Sequence, residues 1–423
     1  MSQRARQLGQ PLAVLVQEGA TTGLLICLSA GTALFCVYAL LGLLHRYPLD
    51  YGEAPLVDQA MRLVAGRNIY RPDISLPPYT ISNYPPLFVA MLAPLVKLFG
   101  PAFWAGRVIS ILCSLATGVF LSLIVCSYSR DRVAAAVTAM LFWSFPYVAS
   151  WSALLRIDLL ALACSTAGLF LLARWPEARW SFLASAGCLV GAVLTRQSYA
   201  LAAPAAAFIW LWAQDRRRAL SYAGLAGGSC LILLVALNVL TRGGLFYNIV
   251  TANVNEFGAE RLEWNLRRLC DATRVLLILG GLVLALAPRR FPLWALLAPY
   301  LVGAALASLT VGKIGSNVNY FLELCAALSL VAGALLVWSR PRPWLHVLLL
   351  VLMALQTGRL MQTTFKDNVV SLTERRNSAN ELRALERIVA DADGAILADE
   401  YMGMITLQGR PLFVQPFEVT QLA

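Results

Sequence analysis

The chain has 423 residues, of which 59% are hydrophobic and only 13% are charged, and its formal net charge is +11. Soluble domains are about 25% charged, so this composition excludes a soluble globular enzyme, a disordered chain and a fibrous repeat. The basic residues lie in short clusters between apolar runs rather than on one polar domain, so we expect no nucleic-acid partner. The apolar runs recur at the length that a polytopic helical membrane protein requires.

Eleven segments are predicted to span the membrane as helices, which makes the fold class an all-α polytopic membrane protein. The predicted spans are 22–44, 103–127, 133–150, 154–173, 181–195, 199–213, 220–240, 273–287, 291–310, 320–338 and 344–360. The first apolar run is long and lacks a small-residue cleavage site, so we expect it to stay as a span rather than to be cleaved as a signal. One further apolar stretch, 84–99, begins with two prolines and is short, which predicts an interfacial or re-entrant segment.

The arginines of the short loops predict the orientation in the membrane. With the N-terminus in the cytoplasm, thirteen arginines fall on the cytoplasmic side, whereas the short outer connections hold about one basic residue each. The cytoplasmic set is Arg4, Arg6, Arg130, Arg132, Arg174, Arg179, Arg216, Arg217, Arg218, Arg289, Arg290, Arg340 and Arg342. Three larger polar segments, 45–83, 241–272 and 361–423, then fall on the outer side, where we expect the functional face.

This topology divides the chain into a transmembrane domain, 1–360, and an extracytoplasmic C-terminal segment, 361–423. The segment is predicted to be a small α/β unit, with a helix at 378–392 that starts with a capping-box pattern. The runs 395–398 and 412–414 resemble buried strands. The chain stops without a terminating turn, which leaves a truncated tail and a short tail as alternatives.

The first outer loop, 45–83, carries two acids next to the first span. Asp50 and Glu53 precede a helical pattern at 54–65, so they are expected near the membrane surface, where a carboxylate is both desolvated and reachable. Such a carboxylate suits a general base. The alternative is structural, with Asp50 capping the helix and Glu53 completing a capping box.

Three basic residues lie at the outer ends of later spans. Arg156 is followed two positions later by Asp158, and Arg196 is followed directly by Gln197. Lys313 lies in a loop that ends at Tyr320, and Glu323 lies about one helical turn after that loop. Ionisable groups at membrane depth usually face a cavity or a partner, and three such cations are suited to holding a phosphate or pyrophosphate. The alternatives are an Arg156–Asp158 or Lys313–Glu323 ion pair, or snorkelling to the headgroups.

The loop around Lys313 is rich in residues that permit tight turns and supply hydrogen-bond donors. It contains Gly312, Gly315, Asn317 and Asn319, and it leads into Tyr320. Such a loop can cradle an anion or a sugar, or it can be a simple turn. Outer aromatic residues such as Tyr84 can stack on sugar rings, although an interfacial belt explains many of them equally well.

The order of these motifs resembles the GT-C glycosyltransferases, the superfamily that includes the protein O-mannosyltransferases and the aminoarabinose transferase of lipid A. The similar stretches are Leu49–Glu53, Asn83–Leu87, Ala105–Ser110, Leu155–Ala161, Thr195–Gln197, Gly312–Tyr320 and Gln415–Glu418. The resemblance runs from about residue 30 to the end of the chain and is nearest to uncharacterised bacterial members. It implies a GT-C-like helical bundle in a bacterial inner membrane.

The resemblance also implies a reaction and a set of site residues. GT-C enzymes transfer a sugar from a polyprenyl-phosphate carrier at the outer leaflet, usually with inversion, and the acid of the first loop is the catalytic base. That role maps onto Asp50, and Glu53 matches the second acid of the motif. Other branches have a lysine where this chain has Tyr84. The role of binding the carrier phosphate therefore moves to Arg156, Arg196 or Lys313, or the donor differs. Contacts to substrate are assigned to Asp158, Gln197, Tyr84, Asn317, Asn319 and Tyr320.

The expected partners are therefore a polyprenyl-phosphate sugar, an acceptor that is a glycan, a lipid or a protein, and membrane lipids. No Cys or His spacing typical of a metal site is present, and we predict no metal cofactor, although metal use varies within the superfamily. Two other functions are compatible with the sequence. A transporter or flippase of lipid-linked sugars would favour internal repeats and charges in mid-span, neither of which is evident. A non-catalytic scaffold would leave the acidic and glycine-rich loops without a purpose.

Overall fold

The computed structural model describes residues 3–286 and 293–420 as a helical bundle, with nineteen α-helices and no β-strand in those two ranges. The helices are α1 (Gln3–Leu43), α2 (Glu53–Val64), α3 (Leu87–Phe99), α4 (Phe103–Ser129), α5 (Arg132–Ser144), α6 (Pro146–Ser152), α7 (Asp158–Arg174), α8 (Arg179–Thr195), α9 (Ala202–Trp212), α10 (Arg216–Leu240), α11 (Gly244–Ile249), α12 (Ala259–Leu286), α13 (Trp294–Ser308), α14 (Leu322–Ser339), α15 (Pro343–Thr363), α16 (Val370–Asn377), α17 (Ala379–Asp391), α18 (Gly403–Leu407) and α19 (Pro416–Thr420).

Six of the described helical segments are long and apolar enough to cross a membrane, and α5 with α6, bent by 67° at their junction, makes a seventh if the pair is one span. The six are Val14–Leu43, Phe103–Ser129, Arg216–Leu240, Trp294–Gly312, Val318–Ser339 and Pro343–Asn377. Each of the eleven predicted spans coincides with a helix, but several of these, such as α7 and α8 with 17 residues each, are shorter than a full crossing. The predicted number of eleven crossings stays a prediction.

Helix α14 lies at the centre of the bundle, since 89% of the residues in its most apolar stretch are buried, whereas no residue in the most apolar stretch of α10 is buried. Small residues let neighbouring helices approach closely, as is usual in membranes. A Cβ on Gly303 of α13 would lie 2.7 Å from Cα of Ala202 on α9, so a larger residue there would push the two helices apart.

Two ion pairs join loops that are distant in the sequence, one pair at each end of the bundle. At one end, Asp131 before α5 bonds Arg340 after α14 at 2.8 Å. At the other end, the loop after α1 bonds the loop before α7 through Asp50 and Arg156. This grouping agrees with the predicted topology, in which the arginine-rich loops and the acidic first loop lie on opposite sides of the membrane.

The C-terminal segment packs on the first loop, at the end of the bundle where α1 stops. Tyr47 and Ala54 of the loop share a buried apolar cluster with the C-terminal segment, to which the segment contributes Val389, Met402, Met404, Ile405 and Leu412. The backbone N–H of Leu412 donates to Asp58 Oδ1 at 2.9 Å, which fixes the segment against α2. The helix predicted at 378–392 is present as α17.

The two strands predicted in the C-terminal segment are not found. Within the described residues, the segment contributes only an isolated bridge between Val414 and Tyr79. The run 395–398 has no strand partner, and a strand that cannot pair in a sheet leaves its backbone groups unsatisfied. The described part of the segment is therefore helical with extended connections.

Candidate active site

The turn between α1 and α2 places Asp50 against Arg156. Oδ1 of Asp50 accepts from Nη1 of Arg156 at 3.1 Å and from the backbone N–H of Gly52 at 2.9 Å. A Cβ at Gly52 would overlap the Arg156 guanidinium, so a glycine is needed there for the two charged groups to meet. The Asp50 side chain is 17% exposed, so it is shielded but still reachable.

Glu53, the second acid of the loop, is fully buried and saturated with hydrogen bonds. Its carboxylate accepts from the backbone N–H of Leu49 at 2.7 Å and of Leu155 at 2.8 Å, and it forms two bonds with Arg107 at 2.8 and 2.9 Å. Burial by itself raises the pKa of Glu53, but the Arg107 charge and these bonds outweigh it, so the pKa lies below its ordinary value. Glu53 is thus a buried anion that ties the first loop to α4 and to the loop before α7.

Arg107, on α4, is fully buried and had no role assigned from the sequence. Its remaining donors bond the carbonyl oxygens of Gly42 at 2.9 Å and Tyr47 at 2.8 Å, as well as that of His45. The guanidinium therefore closes the end of α1 and pairs with Glu53. A lone arginine within the apolar run of α4 is the signal for such a role, because a charge at that depth needs partners.

Arg196 and Asp158 form a second buried pair. Asp158, at the start of α7, bonds Arg196 with one oxygen, and it accepts from Trp151 Nε1 and Asn319 Nδ2 at 2.9 Å each. The Arg196 guanidinium lies over the ring of Tyr320, 4.4 Å from its centroid. The expected alternative pairing of Arg156 with Asp158 is therefore replaced by Asp50–Arg156 and Arg196–Asp158.

Lys313 remains an exposed cation, and no carboxylate lies within ion-pairing distance of it in the described parts of the chain. The alternative Lys313–Glu323 pair does not form. Gly315, with a φ of +80°, turns the loop in the left-handed region and leaves room for the Phe417 ring. Asn317 is exposed and its side chain accepts from the N–H of Val318, so it shapes the turn before Tyr320.

One cavity of 320 Å³ connects these elements. Its lining includes six of the residues predicted for the site and many that were not predicted. The whole lining is Tyr51, Gly52, Pro55, Leu56, Gln59, Ile81, Asn83, Tyr84, Arg156, Arg196, Gln197, Ser198, Leu201, Asn253, Asn255, Ala307, Thr310, Lys313, Ile314, Gly315, Ser316, Tyr320, Phe417 and Glu418. The six predicted ones are Tyr84, Arg156, Arg196, Gln197, Lys313 and Tyr320. Asp50 does not line the cavity but forms an ion pair with Arg156, which does. Four further predicted residues do not line it either: Glu53, Asp158, Asn317 and Asn319.

Glu418 of the C-terminal segment brings a carboxyl group into the cavity wall. Burial is the main cause that raises its pKa to about 7, while the Arg156 charge opposes and the Asp399 charge adds to that rise. Its Oε2 has no hydrogen-bond partner among the described residues. The sequence resemblance includes the stretch around Glu418 but implies no role for it, because no local pattern shows that the tail returns to the first loop.

Two further lining residues have buried acceptor oxygens without a partner in the described chain, Oδ1 of Asn83 and Oε1 of Gln197. Buried acceptors normally bond a donor, so a site with three of them suits a ligand that carries hydroxyl groups. The tyrosines of the lining, Tyr51, Tyr84 and Tyr320, provide flat aromatic faces nearby. Among the described residues, no group of three His, Cys, Asp or Glu is placed to hold a metal ion.

Comparisons with known proteins identify the fold. Residues 83–241 match the family model of dolichyl-phosphate-mannose-protein mannosyltransferases. The fold superimposes on ArnT from Cupriavidus metallidurans bound to undecaprenyl phosphate, with a TM-score of 0.64 at 14% identity over 92% of this chain and 85% of that one. This protein has the GT-C fold.

A more distant solved structure shows the same GT-C fold. The archaeal oligosaccharyltransferase AglB from Archaeoglobus fulgidus, in complex with an inhibitory peptide and a dolichol-phosphate, matches with a TM-score of 0.53 at 12% identity. The match covers 92% of this chain but only 64% of AglB. No curated protein sequence matches the chain significantly. The predicted resemblance to GT-C glycosyltransferases is thus confirmed through the fold and the family model.

Proposed function

We propose that this GT-C protein is an integral-membrane glycosyltransferase that moves a sugar from a polyprenyl-phosphate carrier to an acceptor hydroxyl. The observation that carries the proposal is one cavity that is lined by Arg156, Arg196, Lys313 and the Glu418 carboxyl, with Asp50 held next to it by Arg156. Transfer from a lipid phosphate needs cations for the leaving group and a carboxylate for the acceptor, and this cavity supplies both. The family match and the lipid-phosphate complexes of ArnT and AglB support the same chemistry.

We propose that Lys313 and Arg196 bind the donor phosphate, with Arg156 between them and the acceptor. No carboxylate of the described residues pairs with Lys313, so its charge is available to an incoming phosphate without breaking an ion pair. Arg196 keeps Asp158 as a counter-ion and stacks on Tyr320, which holds its guanidinium in a fixed orientation. A phosphate that leaves the sugar gains negative charge, and fixed cations stabilise that charge in the transition state.

The transfer step is a single displacement. Asp50 accepts the proton of the acceptor hydroxyl as that oxygen attacks the anomeric carbon, and the bond from this carbon to the phosphate oxygen breaks with its electron pair retained by the phosphate. Displacement in one step inverts the configuration at the anomeric carbon. Glu418, with a pKa of about 7 and a free oxygen, is the second carboxyl suited to acid–base work, and we assign it to the acceptor hydroxyl or to a neighbouring one.

Glu53 is assigned a positioning role rather than the catalytic one that its motif implies. Every described contact of its carboxylate goes to Arg107 or to backbone N–H groups, and the side chain is fully buried. The sugar itself is assigned to Asn83, Gln197, Tyr84 and Tyr320 of the cavity wall. No metal is required in this scheme, because cationic side chains occupy the place where a divalent ion would balance the phosphate.

We place the site on the extracytoplasmic face of a bacterial inner membrane. Within the described residues, the loops joined by Asp131 and Arg340 lie at the opposite end of the bundle from the cavity, and arginine-rich loops are normally cytoplasmic. A lipid-phosphate donor also suits a compartment without nucleotide sugars. The side is tested by labelling an introduced cysteine at Asp73, an exposed position in the first loop, with a membrane-impermeant thiol reagent in intact cells and in inverted vesicles.

The decisive experiment separates transfer from transport. Purified protein in liposomes is given a panel of radiolabelled polyprenyl-phosphate sugars with membrane glycans, lipids and peptides as acceptors, and both released carrier and labelled acceptor are quantified. A transferase releases carrier and labels acceptor, and the Asp50→Asn variant does neither at a comparable rate. A flippase moves the intact donor to the other leaflet without releasing carrier, and that result would reject the proposed function. Insensitivity to EDTA tests the metal-free scheme.

A further inference from the structure

A second basic pocket lies outside the candidate active site, at the junction of α1 with the C-terminal segment. This arginine pocket has a volume of 570 Å³ and is lined by Leu44, His45, Arg46, Tyr47, Arg376, Ala379, Arg383, Glu386 and Arg387. It shares no lining residue with the cavity around Lys313. Arg383 and Arg387 are one turn apart on α17 and therefore present their side chains on one face of that helix.

The charge of the arginine pocket is largely unbalanced. Its only carboxylate within the described chain, Glu386, is already bound by Arg46 at 2.6 Å, by the Tyr47 hydroxyl at 3.0 Å and by Gln408 at 3.3 Å. The other three arginines are exposed and form no ion pair with any carboxylate of the described residues. Burial is the main cause that lowers the pKa of His45 to about 4, so His45 is neutral at pH 7 and does not add to the charge.

The pocket also lies at the edge of the apolar surface of α1. Val37 and Leu40, on the last two turns of α1, are 50% and 54% exposed, and Leu44, in the turn directly after the helix, is 66% exposed. Leu44 belongs both to this lipid-facing surface and to the pocket lining. In a bilayer whose acyl chains cover this apolar surface, the four arginines lie beside it at the level of the phosphate headgroups.

We propose that the arginine pocket binds the phosphodiester headgroup of an anionic membrane lipid, with one acyl chain against the exposed Leu40 and Leu44 at the end of α1. Guanidinium groups bind phosphate oxygens through paired hydrogen bonds, and basic clusters next to a membrane helix attract anionic headgroups. A free phosphate ion would use the same arginines but would gain nothing from the apolar surface beside them. The continuity of Leu44 with the pocket favours the lipid.

The bound lipid would act on the neighbouring first loop. Arg375, beside Arg376 on α16, donates to the carbonyl of Leu49 at 2.6 Å, one residue before Asp50. A headgroup that holds α16 and α17 against the end of α1 therefore also fixes the backbone that carries Asp50. This inference concerns a binding site of the fold and stands or falls independently of the proposed transfer reaction.

The test is lipid binding by the full-length protein in detergent, measured by native mass spectrometry during titration with dioleoylphosphatidylglycerol. The variant is Arg383→Gln/Arg387→Gln. The matched control is Arg267→Gln/Arg274→Gln, which removes two exposed arginines of α12, 75% and 71% exposed, and the same total charge. We expect the pocket variant to bind the first lipid about tenfold more weakly or worse, and the control to bind it as the unmodified chain does.

Further arms separate the sources of phosphate. Dioleoylphosphatidylcholine, which carries a phosphodiester but no net charge, is expected to bind the unmodified chain more weakly than phosphatidylglycerol. Inorganic phosphate is expected to compete only weakly. Equal lipid binding by the pocket variant and the control, or saturable phosphate binding without lipid preference that the pocket variant abolishes, would overturn the proposal. The single variant Arg376→Gln, expected to be about fivefold weaker, provides the same comparison if the double variant does not fold.

Discussion

Oδ1 of Asp50 lies 3.1 Å from Nη1 of Arg156, although the two residues are 106 positions apart in the sequence (156 − 50). The pair joins the first loop to the loop before α7 and lies next to the cavity that also contains Lys313 and Glu418. Because the aspartate is held by a cation that lines the cavity, a phosphate that attracts Arg156 would loosen Asp50. Under the proposed function, such a coupling would link donor binding to the release of a carboxylate for the acceptor.

Replacement of Asp50 by asparagine keeps the size and polarity of the side chain but removes the base. We expect kcat to fall by about 10²–10⁴-fold, with a small change in the KM of the donor. Carrier release from a polyprenyl-phosphate sugar by purified protein measures both constants. Asp73→Asn serves as the control, because Asp73 is an exposed acid of the same loop that bonds only Ser75 in the described chain. A wild-type rate in Asp50→Asn would remove Asp50 from the reaction.

Glu418 predicts a specific pH dependence. Its pKa is raised to about 7, so the carboxyl is protonated below that pH and becomes an available base above it. If the ionised Glu418 carboxylate holds the acceptor while Asp50 takes its proton, kcat/KM rises with pH through about 7, and Glu418→Gln abolishes this limb. The Asp399 charge contributes to the raised pKa, so Asp399→Asn is expected to move the limb to lower pH. A profile that is identical in all three proteins would assign the limb to another group.

The sequence placed the acids and cations on one side of the membrane, because topology follows from loop charges and does not require contacts. It did not give the pairing. Arg156 lies in the loop before α7 and Asp158 is the first residue of that helix, and they pair with different partners, Arg156 with Asp50 and Asp158 with Arg196. Which ion pairs form depends on how distant loops come together in the fold, and the spacing of residues along the sequence does not predict that.

The role of Glu53 was beyond sequence reasoning for the same reason. Its position in the acidic motif is compatible with catalysis, with capping or with burial, and the choice depends on Arg107, which lies 54 positions away on another helix. Glu418 is similar, since only the fold shows that the tail packs on the first loop. The C-terminal strands failed because a strand requires a partner, and only the bridge between Val414 and Tyr79 is available in the described chain.

The Glu53–Arg107 pair is predicted to stabilise the fold rather than to catalyse. Removing one partner leaves an uncompensated buried charge, so Arg107→Met should lower the free energy of unfolding by about 3–5 kcal/mol. Glu53→Gln should also destabilise the protein, and the double variant Glu53→Gln/Arg107→Met should be more stable than Arg107→Met alone. Thermal unfolding in detergent, followed by size exclusion, measures the order. Unchanged thermal stability of Glu53→Gln together with a loss of turnover would return Glu53 to the catalytic residues.

Lys313 and Arg196 are both assigned to the donor phosphate, but their surroundings predict different behaviour. Lys313 is exposed and unpaired within the described chain, so Lys313→Gln should raise the donor KM by about tenfold or more while the fold is retained. Arg196→Ala should raise the donor KM or abolish donor binding, and it should also destabilise the protein, because it leaves Asp158 buried without its cation. Donor titrations of carrier release and thermal unfolding of both variants separate the two effects. Arg261→Gln, at the neighbouring carbonyl of Ser316, controls for a general loss of positive charge at this loop. If Lys313→Gln binds the donor as tightly as the unmodified chain, the phosphate lies elsewhere in the cavity, and Arg156 becomes the residue to test next.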